Sequence, residues 1–117
     1  MQNHNAKYLK VLQAELEDLR EDVKARMEAC RQRREADQIT EYTCKENMAF
    51  LGHEINSIGH FLALVAATDP AAFDSLDALI KHLHTASMKE VREYGIAKCV
   101  DTFVQRKLEK VKRYVES

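Results

Sequence analysis

The chain has 117 residues, 45% of them hydrophobic and 32% charged, with a net charge of −1. That is the length of one small domain and too apolar for a disordered chain, and its near balance of charge excludes a global field steering it to nucleic acid or an acidic membrane surface. Three glycines, one proline and no strand-like run of β-branched residues point to long helices with large solvated faces, so the expected fold class is all-α.

The first element is the clearest. Leu9, Leu12, Leu16, Leu19 and Val23 alternate at steps of three and four, the spacing of a helix packing its a and d positions against a partner. Glu15, Glu17, Asp18, Arg20, Glu21, Asp22 and Lys24 lie between them. This predicts a coiled-coil-like helix over residues 1–38. Residues 39–117 then form a helical hairpin or bundle region of the same structural domain. The register continues through Arg26, Cys30 and Arg33, so the seam fades. The basic run Arg31-Gln32-Arg33-Arg34 is neutralised by Glu28, Glu35 and Asp37. It reads as a solvated face, not a nucleic-acid patch. Ile39-Thr40 and weak periodicity place a junction in residues 37–42, with Thr43-Cys44-Lys45-Glu46 in the form of a capping box. One helix running straight through is the alternative.

The second element carries the seam Met48, Leu51, Ile55, Ile58, Leu62 and Val65. His53 and His60, seven apart, share its outer strip. Gly52 and Gly59 each cost a helix about 1 kcal/mol relative to Ala. Close approach of a neighbouring helix, or access for a docking partner, is expected to offset that cost. Asp69-Pro70 ends the helix, with Pro70 opening the next and Asp69 or Thr68 capping it. So short a link predicts an antiparallel hairpin, faced by Phe73, Leu76, Ile80 and Leu83. Ser87-Met88-Lys89-Glu90 is a second capping box and marks a kink or restart. The last segment presents Val91, Tyr94, Val100, Phe103, Val104, Leu108, Val111 and Val115 on one broad face, weakened at Gly95. Its basic residues Lys98, Arg106, Lys107, Lys110, Lys112 and Arg113 read as a solvated face.

A lone hairpin cannot cover such stripes. Either the chain folds into a four-helix bundle by itself or two chains complete one. The long first heptad run favours self-association, so a homodimer is expected.

Phe50, Leu51, His53, Glu54, Ile55 and Asn56, followed by Phe61 and Leu62, resemble the H-box of histidine kinases, in their dimerisation and histidine-phosphotransfer domain. Ser57 stands where that family has Asn or Thr, Ile58 replaces its usual proline, and Gly59 its leucine. The hairpin end at Asp69-Pro70 lies about where the family would place it. The resemblance implies that His53 accepts a phosphoryl group and exchanges it with a receiver-domain partner. It implies that Glu54 takes the histidine proton. The residues themselves put Asn56 and Ser57 at i+3 and i+4 from His53, on its face of the helix, where they could orient water or the phosphoryl group. No Gly-rich ATP-binding segment occurs in these 117 residues. The implied module is therefore similar to the stand-alone sporulation phosphotransferases, with no autophosphorylation from ATP. A helical interaction or scaffold protein without covalent chemistry is the competing reading, in which His53 and Glu54 are solvated surface residues.

Other chemistry is thin. His82 and His84 point to different sides of a helix, and His53 and His60 are about 10 Å apart, too far to share a metal. Neither E-x-x-H nor H-E-x-x-H occurs, so no metal and no cofactor is expected. Cys30, Cys44 and Cys99 are odd in number and without a C-x-x-C pair, which argues against a disulfide framework or a zinc site and fits a reducing cytoplasm. Cys30 and Cys44 lie on or near apolar seams and read as small buried hydrophobes. The polar start Met1-Gln2-Asn3-His4-Asn5 has no secretory h-region, and the longest apolar run, Phe61 to Ala67, is too short to cross a bilayer.

Overall fold

The structure, a computed structural model, describes residues 4–117; the polar start at Met1-Gln2-Asn3 lies outside the described residues. Four helices follow one another: α1 (His4–Glu35), α2 (Glu41–Ala66), α3 (Leu76–Tyr94) and α4 (Lys98–Glu116), with a 3-10 turn at Pro70–Ala72. No strand occurs among the described residues, so the all-α expectation holds.

Side-chain pairs fix the topology. Lys7 lies over the Tyr114 ring and Glu15, two turns further on, meets Lys107, so α1 and α4 are antiparallel; Tyr8 donates to the Leu108 carbonyl between them. Asp77 meets Lys112 and His84 meets Gln105, so α3 and α4 are antiparallel again, and His60 meets Glu90 across α2 and α3. The result is an up-down-up-down bundle in which α4 closes back onto α1. One core unites all four helices: Tyr8, Leu12 and Leu16 from α1, Ile58, Phe61 and Val65 from α2, Leu79 and Leu83 from α3, and the Val100, Val104, Leu108, Val111, Val115 stripe of α4. The bundle part of the stripes that called for a partner is thus covered within one chain.

The molecule is nevertheless long, 59 × 29 × 18 Å. The 32 residues of α1 span about 48 Å, and α3 and α4 have only 19 each. Past Val23, α1 therefore has only α2 beside it. Residues 24–53 form a two-helix arm projecting from the bundle, in which Cys30 and Cys44 are the only buried side chains.

The turn at the arm's tip falls within the junction read from the sequence, but its chemistry differs. The cap of α2 is Thr40, whose hydroxyl accepts from the Thr43 N–H at 3.1 Å; Thr43 does not open the helix. Asp37 takes φ 58°. Gln38 N–H bonds the Arg33 carbonyl and Asp37 N–H the Arg34 carbonyl, a Schellman closure with an aspartate where glycine is usual.

The second junction is also finer than expected. Asp69 caps only the 3-10 turn, its carboxylate accepting from the Ala71 N–H at 2.9 Å. α3 begins afresh at Leu76 under a Ser75 cap. The restart expected at Ser87 does not occur. α3 runs through it because the Ser87 hydroxyl donates back to the His84 carbonyl at 2.9 Å and does not cap a new turn. The break falls at Gly95, whose φ of 61° suits glycine. Tyr94 and Phe103, placed on the apolar face by the sequence reading, are exposed. That face is narrower than it looked.

Candidate functional site

His53 sits on α2 where the arm meets the bundle, and its side chain is exposed. Asn56, one turn on, is exposed too, and lines a shallow surface depression with Gly59, His60 and Ala63. Glu54 is half-buried on the neighbouring face. Its Oε1 accepts from the Cys99 thiol at 3.5 Å. Burial first, and the Glu54 carboxylate second, push the Cys99 thiol up.

Ser57 is elsewhere. It is buried, and its Oγ accepts the backbone N–H of Ala97, the residue before α4, at 3.0 Å. The 100° step of a helix carries position i+4 about 40° around the axis from i. Here that rotation is enough to turn residue 57 under α4 while residue 53 stays outside. The four residues expected to act together are therefore divided. His53 and Asn56 are open to solvent, Glu54 is engaged with Cys99, and Ser57 is a structural acceptor beneath the start of α4.

His60, His82 and His84 each have a side-chain partner outside their own helix. His60 Nδ1 lies 3.3 Å from Glu90 Oε2, and its ring packs 4.7 Å from Tyr94. His82 packs on Phe73 at 4.9 Å. His84 Nδ1 meets Gln105 Oε1 at 2.8 Å, and Gln105 in turn donates to Ser87 and Asp101. No group of three His, Cys, Asp or Glu able to hold a metal occurs among the described residues.

The two glycines do not admit a close neighbour. A Cβ at Gly52 or Gly59 would meet nothing within 4 Å, so close helix approach does not account for them.

Two features of the arm went unread in the sequence. One is a groove of about 310 Å³ lined by Arg26, Ala29, Cys30, Arg33, Asn47, Phe50 and Leu51. Phe50 is 72% exposed at its edge, and Tyr42, further along α2, is 71% exposed. The other is the meeting of Cys30 and Cys44, with sulfurs 3.3 Å apart. A signal for both was present. The α1 seam Leu9, Leu12, Leu16, Leu19, Val23, Arg26, Cys30 mirrors the α2 seam Val65, Leu62, Ile58, Ile55, Leu51, Met48, Cys44 about residue 37. Folding the chain there pairs Cys30 with Cys44 and sets Arg26 against Met48, where the apolar seam opens into the groove.

Comparison with family models, with curated proteins and with solved structures finds no match. No helix among the described residues is long and apolar enough to cross a membrane.

Proposed function

We propose that this chain is a helical interaction module whose arm docks an acidic, amphipathic segment of a partner protein. The observation that carries this reading is the groove beside Phe50. A large aromatic left 72% exposed on a helical scaffold forfeits burial worth about 1.5–3 kcal/mol. Docking recovers it. Arg26 and Arg33 are the charged residues lining the groove, so they favour a segment carrying carboxylates beside its apolar side chains. The test is calorimetric titration of the full chain with acidic amphipathic helical peptides and with charge-reversed versions of the same peptides. Binding of the acidic set alone, lost in Phe50→Ala with helicity intact, is expected. Equal binding of both sets, or binding indifferent to Phe50→Ala, overturns it. Sedimentation of the free chain tests the homodimer expected from the seams. A dimer abolished by Phe50→Ala would give the groove to a second copy.

A second reading is favoured by the exposure of His53. It is histidine phosphotransfer, with the P–O bond of a receiver's aspartyl phosphate breaking as a P–N bond to the imidazole forms. An exposed imidazole on a stiff helix is reachable by a docked receiver domain. In this reading Asn56 lies beside the phosphoryl group and Glu54 takes up the proton once free of Cys99. Ser57 takes no part. Incubation with acetyl phosphate or a phosphorylated receiver should leave acid-labile label that His53→Ala abolishes. Label surviving that substitution, or none at all, removes this reading.

A further inference from the structure

We infer that Cys30 and Cys44 are a reversible redox pair whose disulfide staples the arm shut. Three observations carry this. The sulfurs are 3.3 Å apart on different helices, against about 2.05 Å in a disulfide, so thiol rotations of modest size close the bond. Each sulfur also lies 3.8 Å from the other residue's backbone carbonyl, so the two backbones run close together at this point. And these are the buried side chains of the arm, 7% and 5% exposed. Little else ties its tip together. Whatever joins the two sulfurs decides how firmly the tip is held.

The chemistry balances with a low-molecular-weight disulfide as oxidant. Cys30 lines the groove where Cys44 does not, so the first step falls to it when the arm opens enough to uncover its buried sulfur. Its thiolate attacks the small disulfide, giving a mixed disulfide and releasing one small thiolate. The Cys44 thiolate then attacks the Cys30 sulfur and expels the second. The two protein protons leave with the two small thiols, the cysteines are oxidised, and the reagent is reduced. Arg26 and Arg33 in the same groove favour an oxidant bearing carboxylates. Cys99 takes no part, because it lies with Glu54 at the base of the arm. In a reducing compartment the bond forms only under oxidation, as a regulatory disulfide does.

The experiment treats the full chain with oxidised glutathione, then alkylates and maps it by mass spectrometry, alongside hydrogen exchange of residues 31–43. The expected product has lost two hydrogen masses, carries a Cys30–Cys44 cross-linked peptide, retains a free Cys99, and reverts with a dithiol. Hydrogen exchange at the tip should slow several-fold on oxidation. Cys99→Ser should react as the parent does, and cystamine, a cationic disulfide at equal concentration, more slowly. Cys30→Ala should leave no intramolecular bond. Three free thiols after treatment, stable glutathione adducts without closure, or chain-to-chain disulfides as the main product would overturn the pairing. Unchanged exchange at residues 31–43 would overturn the staple.

Discussion

The two ends of α1 differ in company. From Tyr8 to Val23 the helix is enclosed by three others, and its seam is buried except at Leu19. From Lys24 to Glu35 it has α2 alone, and one residue, Cys30, is buried. The same contrast divides α2, whose Met48, Leu51 and Ile55 are only half-covered while Ile58, Phe61 and Val65 are buried. Heptad spacing is continuous across both regions. A seam is therefore not sufficient for burial. The number of helices around it decides how much area leaves water, and so how much stability each seam residue returns. Bundle and arm should unfold as separate units, the arm first.

The largest expected effect sharpens that division. Leu16 is 0% exposed in the bundle core, and Leu16→Ala should destabilise the chain by about 3 kcal/mol. Phe50→Ala, on the arm, should stay within about 0.5 kcal/mol, although a larger side chain is removed. Chemical denaturation followed by circular dichroism reads both. Comparable losses would show the arm to be as tightly integrated as the core, and would break the comparison.

A smaller effect depends on pH. Glu15 joins α1 to α4 through Lys107 at 2.7 Å and Lys110 at 3.2 Å. Its hydrogen bond with Lys107 is the main reason its carboxyl is held below the ordinary value of 4.5. A carboxyl depressed on folding contributes stability above its unfolded pKa and loses it as pH falls through the folded value. Glu15→Gln should therefore cost about 1 kcal/mol at pH 7, and parent and variant should converge as pH falls through the lowered folded value. A difference constant from pH 7 to pH 3 would assign the loss to packing instead.

How much was legible follows from the same contrast. The helices, the seams and the turn near residue 37 could be read because local spacing and capping determine them. The placement of Ser57 could not. Whether i+4 shares the open face of His53 depends on where α4 lands, and that is fixed by residues 40 positions away. Cys30 and Cys44 looked remote because separation was counted along the chain. The mirror of the two seams about residue 37 makes them opposite each other. Thr43 was a weaker cap than Thr40 for a similar reason: once the Schellman turn closes at Gln38, the first free N–H groups of α2 fall within reach of Thr40.

Asp37 itself tests the tip. An L-residue held at φ 58° strains the backbone by about 1 kcal/mol or more, and its charge opposes the C-terminal end of the α1 dipole. Asp37→Gly should relieve both and stabilise the turn by up to about 1 kcal/mol. Because the arm opens before the bundle, the gain should appear mainly as slower hydrogen exchange in residues 31–43, with little movement of the global denaturation midpoint. A full shift of that midpoint would mean arm and bundle unfold together.

The two open glycines offer the finest comparison, since they are chemically identical and lie on either side of the arm's base. Gly52 is in the arm, Gly59 in the bundle half of α2, and neither leaves a Cβ anything to strike. Alanine at each should be worth about 0.5–1 kcal/mol through backbone entropy alone. At Gly59 the gain should register globally, because unfolding the bundle must unfold that turn of helix. At Gly52 it should register only as local protection. If both substitutions are instead neutral for the fold and weaken peptide binding, the glycines keep a docking surface low. If both raise the global midpoint equally, α2 behaves as one rod whose outer half is stabilised by its inner half, and the arm is an extension of the bundle with no stability boundary at residue 53.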